Sequence, residues 1–187
     1  MSLITLFFTS ILVENIILTK FLGLCPFLGM SNKEEGALSM GIAITVVMTI
    51  ASFITYLIYH YLLIPYDIEY LKVIVFILVI ASIVQIMEIL IRKFLPKVYD
   101  LFGIYLPLIT TNCAILGVVL LNTTKDYNLL ESLVFALGSS MGYMLVLYIF
   151  SNIRERIEDS PIPKAFKGIP IALITAGIIA IIFGRYM

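Results

Sequence analysis

Apolar residues run through this chain in long blocks, without the strict alternation of a half-buried strand. Six blocks approach the roughly 20 residues that an α-helix needs to cross a bilayer. They run from about Leu3 to Gly29, Ala37 to Leu63, Lys72 to Ile91, Val98 to Leu121, Leu129 to Phe150 and Ile169 to Phe183. The first is interrupted by Glu14, Asn15 and Lys20. Short connections carry Pro65, Pro96, Pro161 and Pro163. The pattern predicts an all-α integral membrane protein of six transmembrane helices, a single membrane domain over 1–187 with no soluble domain. An outer-membrane barrel is excluded, because its strands would alternate.

Composition agrees. The chain is 61% hydrophobic and 13% charged, against about 25% charged in a soluble domain, and its mean hydropathy is +1.11. A formal net charge of zero gives no footing for nucleic acid. The first lysine is Lys20, so the N-terminal block lacks the basic start of a signal peptide and is expected to be a mature span. Lys and Arg set the orientation. Lys33, Arg92, Lys93, Lys97, Arg154, Arg156, Lys164 and Lys167 fall in odd-to-even loops, and Lys72, Lys125 and Arg185 on the other side. The basic side is expected in the cytoplasm, which puts both termini on the outer face.

The only two cysteines share a local pattern. Cys25-Pro-Phe-Leu-Gly29 and Cys113-Ala-Ile-Leu-Gly117 are both C-x-x-L-G. Gly23, Pro26 and Pro107 lie close by and are poor residues for an unbroken helix, so each cysteine is expected at a helix break. Each motif opens a three-span unit, 1–95 and 96–187. Three is odd, so the second unit crosses the membrane upside down, giving two inverted repeats with broken first and fourth helices. Cys25 lies eight residues before Lys33 and Cys113 twelve before Lys125. These are about 12 and 18 Å of helix, against about 15 Å for half a hydrocarbon core. Both thiols are expected near the midplane.

A buried cysteine is often only a small hydrophobe. Here the shared motif, the breaks and the costly neighbours Thr110, Thr111 and Asn112 point to chemistry. A midplane disulfide ranks low. Thiolates bind soft metals and iron–sulfur clusters, and a cluster takes four thiolates where this chain supplies two. The other half would come from a second copy or a related chain. Backbone N–H groups at the breaks would favour the buried anion, with Gly23, Pro26, Thr110, Thr111 and Asn112 surrounding the ligands and tuning them.

Charged residues inside spans are the other signal. Glu14 and Glu88 are candidates for an ion path. Glu14 and Lys20 do not share a helical face. Gln85 and Glu88 do, and Glu88 precedes Arg92 by four, the spacing of an ordinary ion pair. His60, between Tyr59 and Tyr61, reads as part of an aromatic belt. The run Arg154 to Asp159 reads as a solvated docking face.

Phe21-Leu-Gly-Leu-Cys-Pro-Phe-Leu-Gly29 and Leu106-Pro-Leu-Ile-Thr-Thr-Asn-Cys-Ala-Ile-Leu-Gly117 resemble the signatures of the RnfA/NqrE family, as do Gln85-Ile-Met-Glu88 and Ile153-Arg-Glu-Arg156. The wording around both cysteines is closer to the RnfA branch. The resemblance implies a six-span subunit of a ferredoxin:NAD+ oxidoreductase in the prokaryotic cytoplasmic membrane, coupled to Na+ or H+ translocation. It implies that Cys25 and Cys113 share one [2Fe–2S] cluster with two cysteines of an oppositely oriented paralogue of the RnfE type. Further partners would be flavin-carrying membrane and outer-face subunits and cytoplasmic iron–sulfur subunits. A small-solute or ion transporter is the alternative, since inverted repeats with broken helices also describe carriers.

Overall fold

The computed structural model describes residues 3–30, 34–66, 68–94, 106–158, 163 and 166–184. Among these, every regular element is helical. The first apolar block is three short helices, α1 (Leu3–Leu12), α2 (Ile16–Lys20) and α3 (Leu24–Met30). Two local devices divide it. Asn15 is extended, and its Oδ1 accepts the Ile17 N–H, which caps α2. Phe21 then takes a left-handed conformation and ends α2.

The second block forms α4 (Glu34–Ile58), which widens into a π-helical turn at Tyr59–Leu63. A 3₁₀ turn, Glu69–Leu71, leads into α5 (Lys72–Phe94). The fourth block is broken like the first, into α6 (Leu106–Thr110) and α7 (Cys113–Thr124); residues 98–105 of that expected span lie outside the described residues. α8 (Leu129–Glu158) runs eight residues beyond the expected end at Phe150, and α9 (Ile169–Gly184) closes the chain.

Three stretches are long and apolar enough to cross a membrane, Gly36–Leu63, Glu69–Lys93 and Leu129–Ile157, with shorter apolar stretches at Leu3–Leu12, Leu108–Thr124 (which contains the break between α6 and α7) and Ile169–Phe183. Large apolar side chains stay exposed along them, including Ile42, Phe53, Ile77, Leu78, Ile178 and Ile181. In water such a surface would be a liability; in lipid it is the solvent-facing side.

α8 is the central element and packs against both α1 and α4. Gly138 and Gly142, four residues apart, let the α1 backbone approach. A Cβ at Gly138 would lie 2.0 Å from Ser10 Oγ, and one at Gly142 2.8 Å from the Ile11 carbonyl oxygen. Small residues at this spacing are how helices pack closely in lipid, where dispersion replaces the hydrophobic effect. The Asn15 amide nitrogen donates to the Gly142 carbonyl at 3.0 Å and ties the first cap to this seam. α9 lies against α2 and α3, and Phe27 of α3 stacks on Phe150 of α8 at 4.3 Å.

Candidate functional site: two facing helix breaks

Each cysteine stands in the first turn of the helix that follows a break. Cys25 is the second residue of α3 and Cys113 the first of α7. The first break is a glycine turn, with Gly23 at φ +84°. The second is an asparagine cap, in which Asn112 is extended and its Oδ1 accepts the Ala114 N–H at 3.0 Å.

The two breaks touch. The Gly23 N–H donates to Cys113 Sγ at 2.9 Å. The Tyr143 hydroxyl, from α8, donates to the Gly23 carbonyl at 3.1 Å, so both polar groups of that peptide turn are fixed. There is no room for a side chain at Gly23, since a Cβ would lie 2.7 Å from the Tyr143 ring and 3.0 Å from Ala114 Cβ. One residue earlier, Leu22 fills the space left by Gly117, the glycine that ends the second motif. The shared C-x-x-L-G pattern thus marks two segments that the fold brings together.

Both cysteines are free thiols; Cys25 is exposed and Cys113 half-buried. Among the described residues no group of three or more His, Cys, Asp or Glu side chains gathers to hold a metal. What exists is a two-thiol site, open on the Cys25 side and supplied with donors on the other. The Gly23 N–H already points at sulfur. Asn112 Nδ2 is buried without a hydrogen-bond partner. This donor set suits a group that carries negative charge and takes thiolate ligands, and so fits an iron–sulfur cluster completed by ligands from another chain.

Pro26 corrects the expected mechanism of breaking. It is the third residue of α3 and so lies in the first turn, where the missing N–H has no intrahelical acceptor to satisfy. It starts a helix, and the breaks lie at Phe21–Gly23 and at Thr111–Asn112. Pro107 lies on α6, and the residues that precede that helix are outside the described ones. Thr110 ends α6, and Thr111 is exposed in the turn before Cys113.

The other singled-out residues lie apart. Glu14 accepts from Lys125 at 2.5 and 2.6 Å, which joins the α1–α2 turn to the end of α7. Burial draws the Lys125 ammonium down, but the hydrogen bond and charge of Glu14 outweigh it and hold its pKa above the ordinary lysine value. Glu88 accepts from Gln85 at 3.3 Å on α5. Neither carboxylate is bonded to the cysteine site among the described residues. His60 is exposed and stacks on Tyr56, in keeping with an aromatic girdle.

Arg154 is a correction. It is only 7% exposed, and its Nη1 donates to the Leu28 carbonyl at 2.7 Å. It belongs to the interior and satisfies a carbonyl in the last turn of the first cysteine helix. An Arg-Glu-Arg run gives no signal that one of its members is buried, because the periodicity that decides it belongs to α8 and its neighbours.

Fold and site together define an all-helical integral membrane protein whose two free thiols stand at facing helix breaks. The chain belongs to the Rnf-Nqr family. Residues 3–186 match the family described as "Rnf-Nqr subunit, membrane protein". It is 49% identical over 183 residues to the A-type subunit of the Na(+)-translocating ferredoxin:NAD(+) oxidoreductase complex of Acetobacterium woodii, covering 98% of this chain and 95% of that one. It is 50% identical to the A-type subunit of the ion-translocating oxidoreductase complex of Syntrophotalea carbinolica, over 97% and 94% of the two chains. With the protein of the same description from Aliivibrio salmonicida the identity is 52%, over 93% and 90%.

Proposed function

We propose that this chain is the A-type membrane subunit of an Rnf-type ferredoxin:NAD+ oxidoreductase, and that it relays electrons through a [2Fe–2S] cluster shared with a paralogous RnfE-type subunit. Cys25 and Cys113 supply its half of the ligands. One observation carries the reading: the only two cysteines follow two helix breaks, and the breaks are in contact through Gly23 and Cys113 Sγ. When bound, the cluster supplies a one-electron stop within the membrane. The chain's own residues do the rest. The Gly23 N–H stabilises the thiolate of Cys113 by a charge-assisted hydrogen bond. Tyr143 holds the Gly23 peptide in the orientation that makes this bond. Cys25, exposed, is the ligand nearest the surface on which a partner must sit.

In this proposal the two halves, 1–95 and 96–187, are inverted repeats, and both termini face outward in the prokaryotic cytoplasmic membrane. Support comes from the matched position of each cysteine after its break. Flavin-carrying and cytoplasmic iron–sulfur subunits complete the complex, and electron flow is coupled to Na+ or H+ movement. The chain holds no Gly-rich dinucleotide loop, so ferredoxin and NAD are handled by other subunits.

The test is iron analysis and EPR on the chain co-purified anaerobically with its paralogue, wild type against Cys25→Ser. The expected result is about two irons per heterodimer, as four thiolates require, and a reduced signal lost in the variant. Iron-free, EPR-silent protein from a complex that still passes electrons would overturn the relay and favour the transporter reading.

A further inference from the structure

Of the membrane-length helices, α5 has the least cover. In the most apolar window of its stretch 22% of the residues are buried, against 44% and 56% in the other two. Lys72 and Arg92 bound the apolar part. They are twenty residues apart, a rise of about 30 Å at ~1.5 Å each, which matches the hydrocarbon core. One stripe of the helix is open. Leu78, Ser82, Gln85 and Ile89 follow one another at helical spacing, and all four are exposed. Glu88 flanks the stripe and is half-buried.

Glu88 lies four residues inside Arg92, about 6 Å, close enough to the helix end for a carboxylate to turn toward water. It turns the other way. Its Oε2 accepts from the Gln85 side-chain amide at 3.3 Å, following the tilt of helical side chains toward the N-terminus. The charge is thereby held near the level of Gln85, about 10 Å inside Arg92. That bond is long for N–H···O. Among the described residues the carboxylate makes no ion pair; the pair found there joins Glu14 to Lys125. An ionised side chain at this depth is costly unless it is paired, and what this patch lacks is positive charge.

We propose that the open stripe of α5 docks a transmembrane helix of another subunit, which places a lysine or arginine against Glu88. The inference rests on the reading of this chain as one subunit of a larger complex. Between helices in lipid, polar side chains act as glue and packing supplies the rest. Here Gln85 and Glu88 provide the first, and Leu78 and Ile89 the second. Charge selects the occupant. Lipid tails bring no counter-charge. A second copy inserted the same way and related by a two-fold axis along the membrane normal would lay the stripe on itself, setting Glu88 against Glu88 at one depth. A basic side chain on a different helix meets the carboxylate and has its own charge compensated in the same contact.

The experiment is photocrosslinking in the intact complex, with p-benzoylphenylalanine in place of Ile89 and the joined peptides sequenced by mass spectrometry. The expected product links α5 to a transmembrane segment of another subunit that carries a lysine or arginine. Glu88→Lys is expected to lower its yield by about tenfold or more, the scale of a broken charge pair, and exchanging the partner's basic residue for glutamate to restore it. Should Glu88→Lys lower the thermal midpoint of the purified chain, the nearly isosteric Glu88→Gln carries the test, with a smaller loss expected. Crosslinks to lipid alone, to a second copy of this chain or to a helix without a basic residue overturn the proposal. So does an unchanged yield in both variants. The product is read without iron or electron flow. An iron-free, EPR-silent complex that still gives it overturns the cluster reading alone, and an iron-loaded complex that lacks it overturns this one alone.

Discussion

The two cysteine breaks carry the same motif and are built by different means. The first depends on backbone conformation. Phe21 and Gly23 both have positive φ, and Gly23 has no space for a Cβ. The second depends on a side chain, with Asn112 capping α7 through Oδ1. The first helix after its break is seven residues long and the second twelve, so α3 needs outside support that α7 does not. It receives that support from Tyr143 at its start and Arg154 at its end, both from α8. A sequence motif can therefore be duplicated while the forces that hold it are not.

The sharpest way to break the comparison is Gly23→Ala. It adds a Cβ where two neighbours already stand within 3.0 Å and forces a left-handed conformation on an L-residue. Overpacking and the backbone term together are expected to cost about 3 kcal/mol, seen as a lower thermal midpoint of the purified chain. Gly117→Ala tests the other motif, where the flexible end of Leu22 can move aside, and the loss is expected to be smaller.

Next comes Arg154→Met, which leaves the Leu28 carbonyl without its donor. The expected loss is about 1–3 kcal/mol, confined to the first helix. Maleimide labelling is expected to speed up at Cys25 and stay constant at Cys113. Equal changes at both thiols would mean that α3 and α7 loosen as one unit. The capping asparagines follow. Each cap is worth about 1 kcal/mol, but Asn15 also donates to the buried Gly142 carbonyl. Asn15→Ala is therefore expected to lower the unfolding midpoint more than Asn112→Ala.

The smallest effect belongs to the Glu14–Lys125 pair, which is about one-third exposed. Its contribution is expected to stay below about 1 kcal/mol. Lys125 has its pKa raised in the fold, so its share is fully present below the ordinary lysine value. It is lost as pH rises through the raised one. Lys125→Met is expected to flatten the wild-type decline in thermal midpoint at strongly alkaline pH and to change little near neutrality.

Much of this is legible along the chain. The apolar blocks locate the helices, because lipid demands long runs with few charges. Gly23 and the paired cysteines locate the breaks, because few residues tolerate that backbone and the motif occurs twice. What escapes is whatever depends on residues far apart. Arg154 in a charged run, Tyr143 inside an apolar helix and Lys125 in a short turn each acquire their partners more than 100 positions away. Pro26 misleads for a local reason: the same ring that breaks a helix interior is welcome in its first turn.

The hydrogen bond from Gly23 to Cys113 spans 90 positions, and that from Tyr143 to Gly23 spans 120. A ribosome therefore finishes the N-terminal half long before anything exists to brace its turn. Through that interval Cys25 is a thiol on an unsupported seven-residue helix, and the first half enters the bilayer unfinished. The two breaks are braced only when α8 is inserted, so in a growing chain the thiols reach their final arrangement only after the C-terminal third is made.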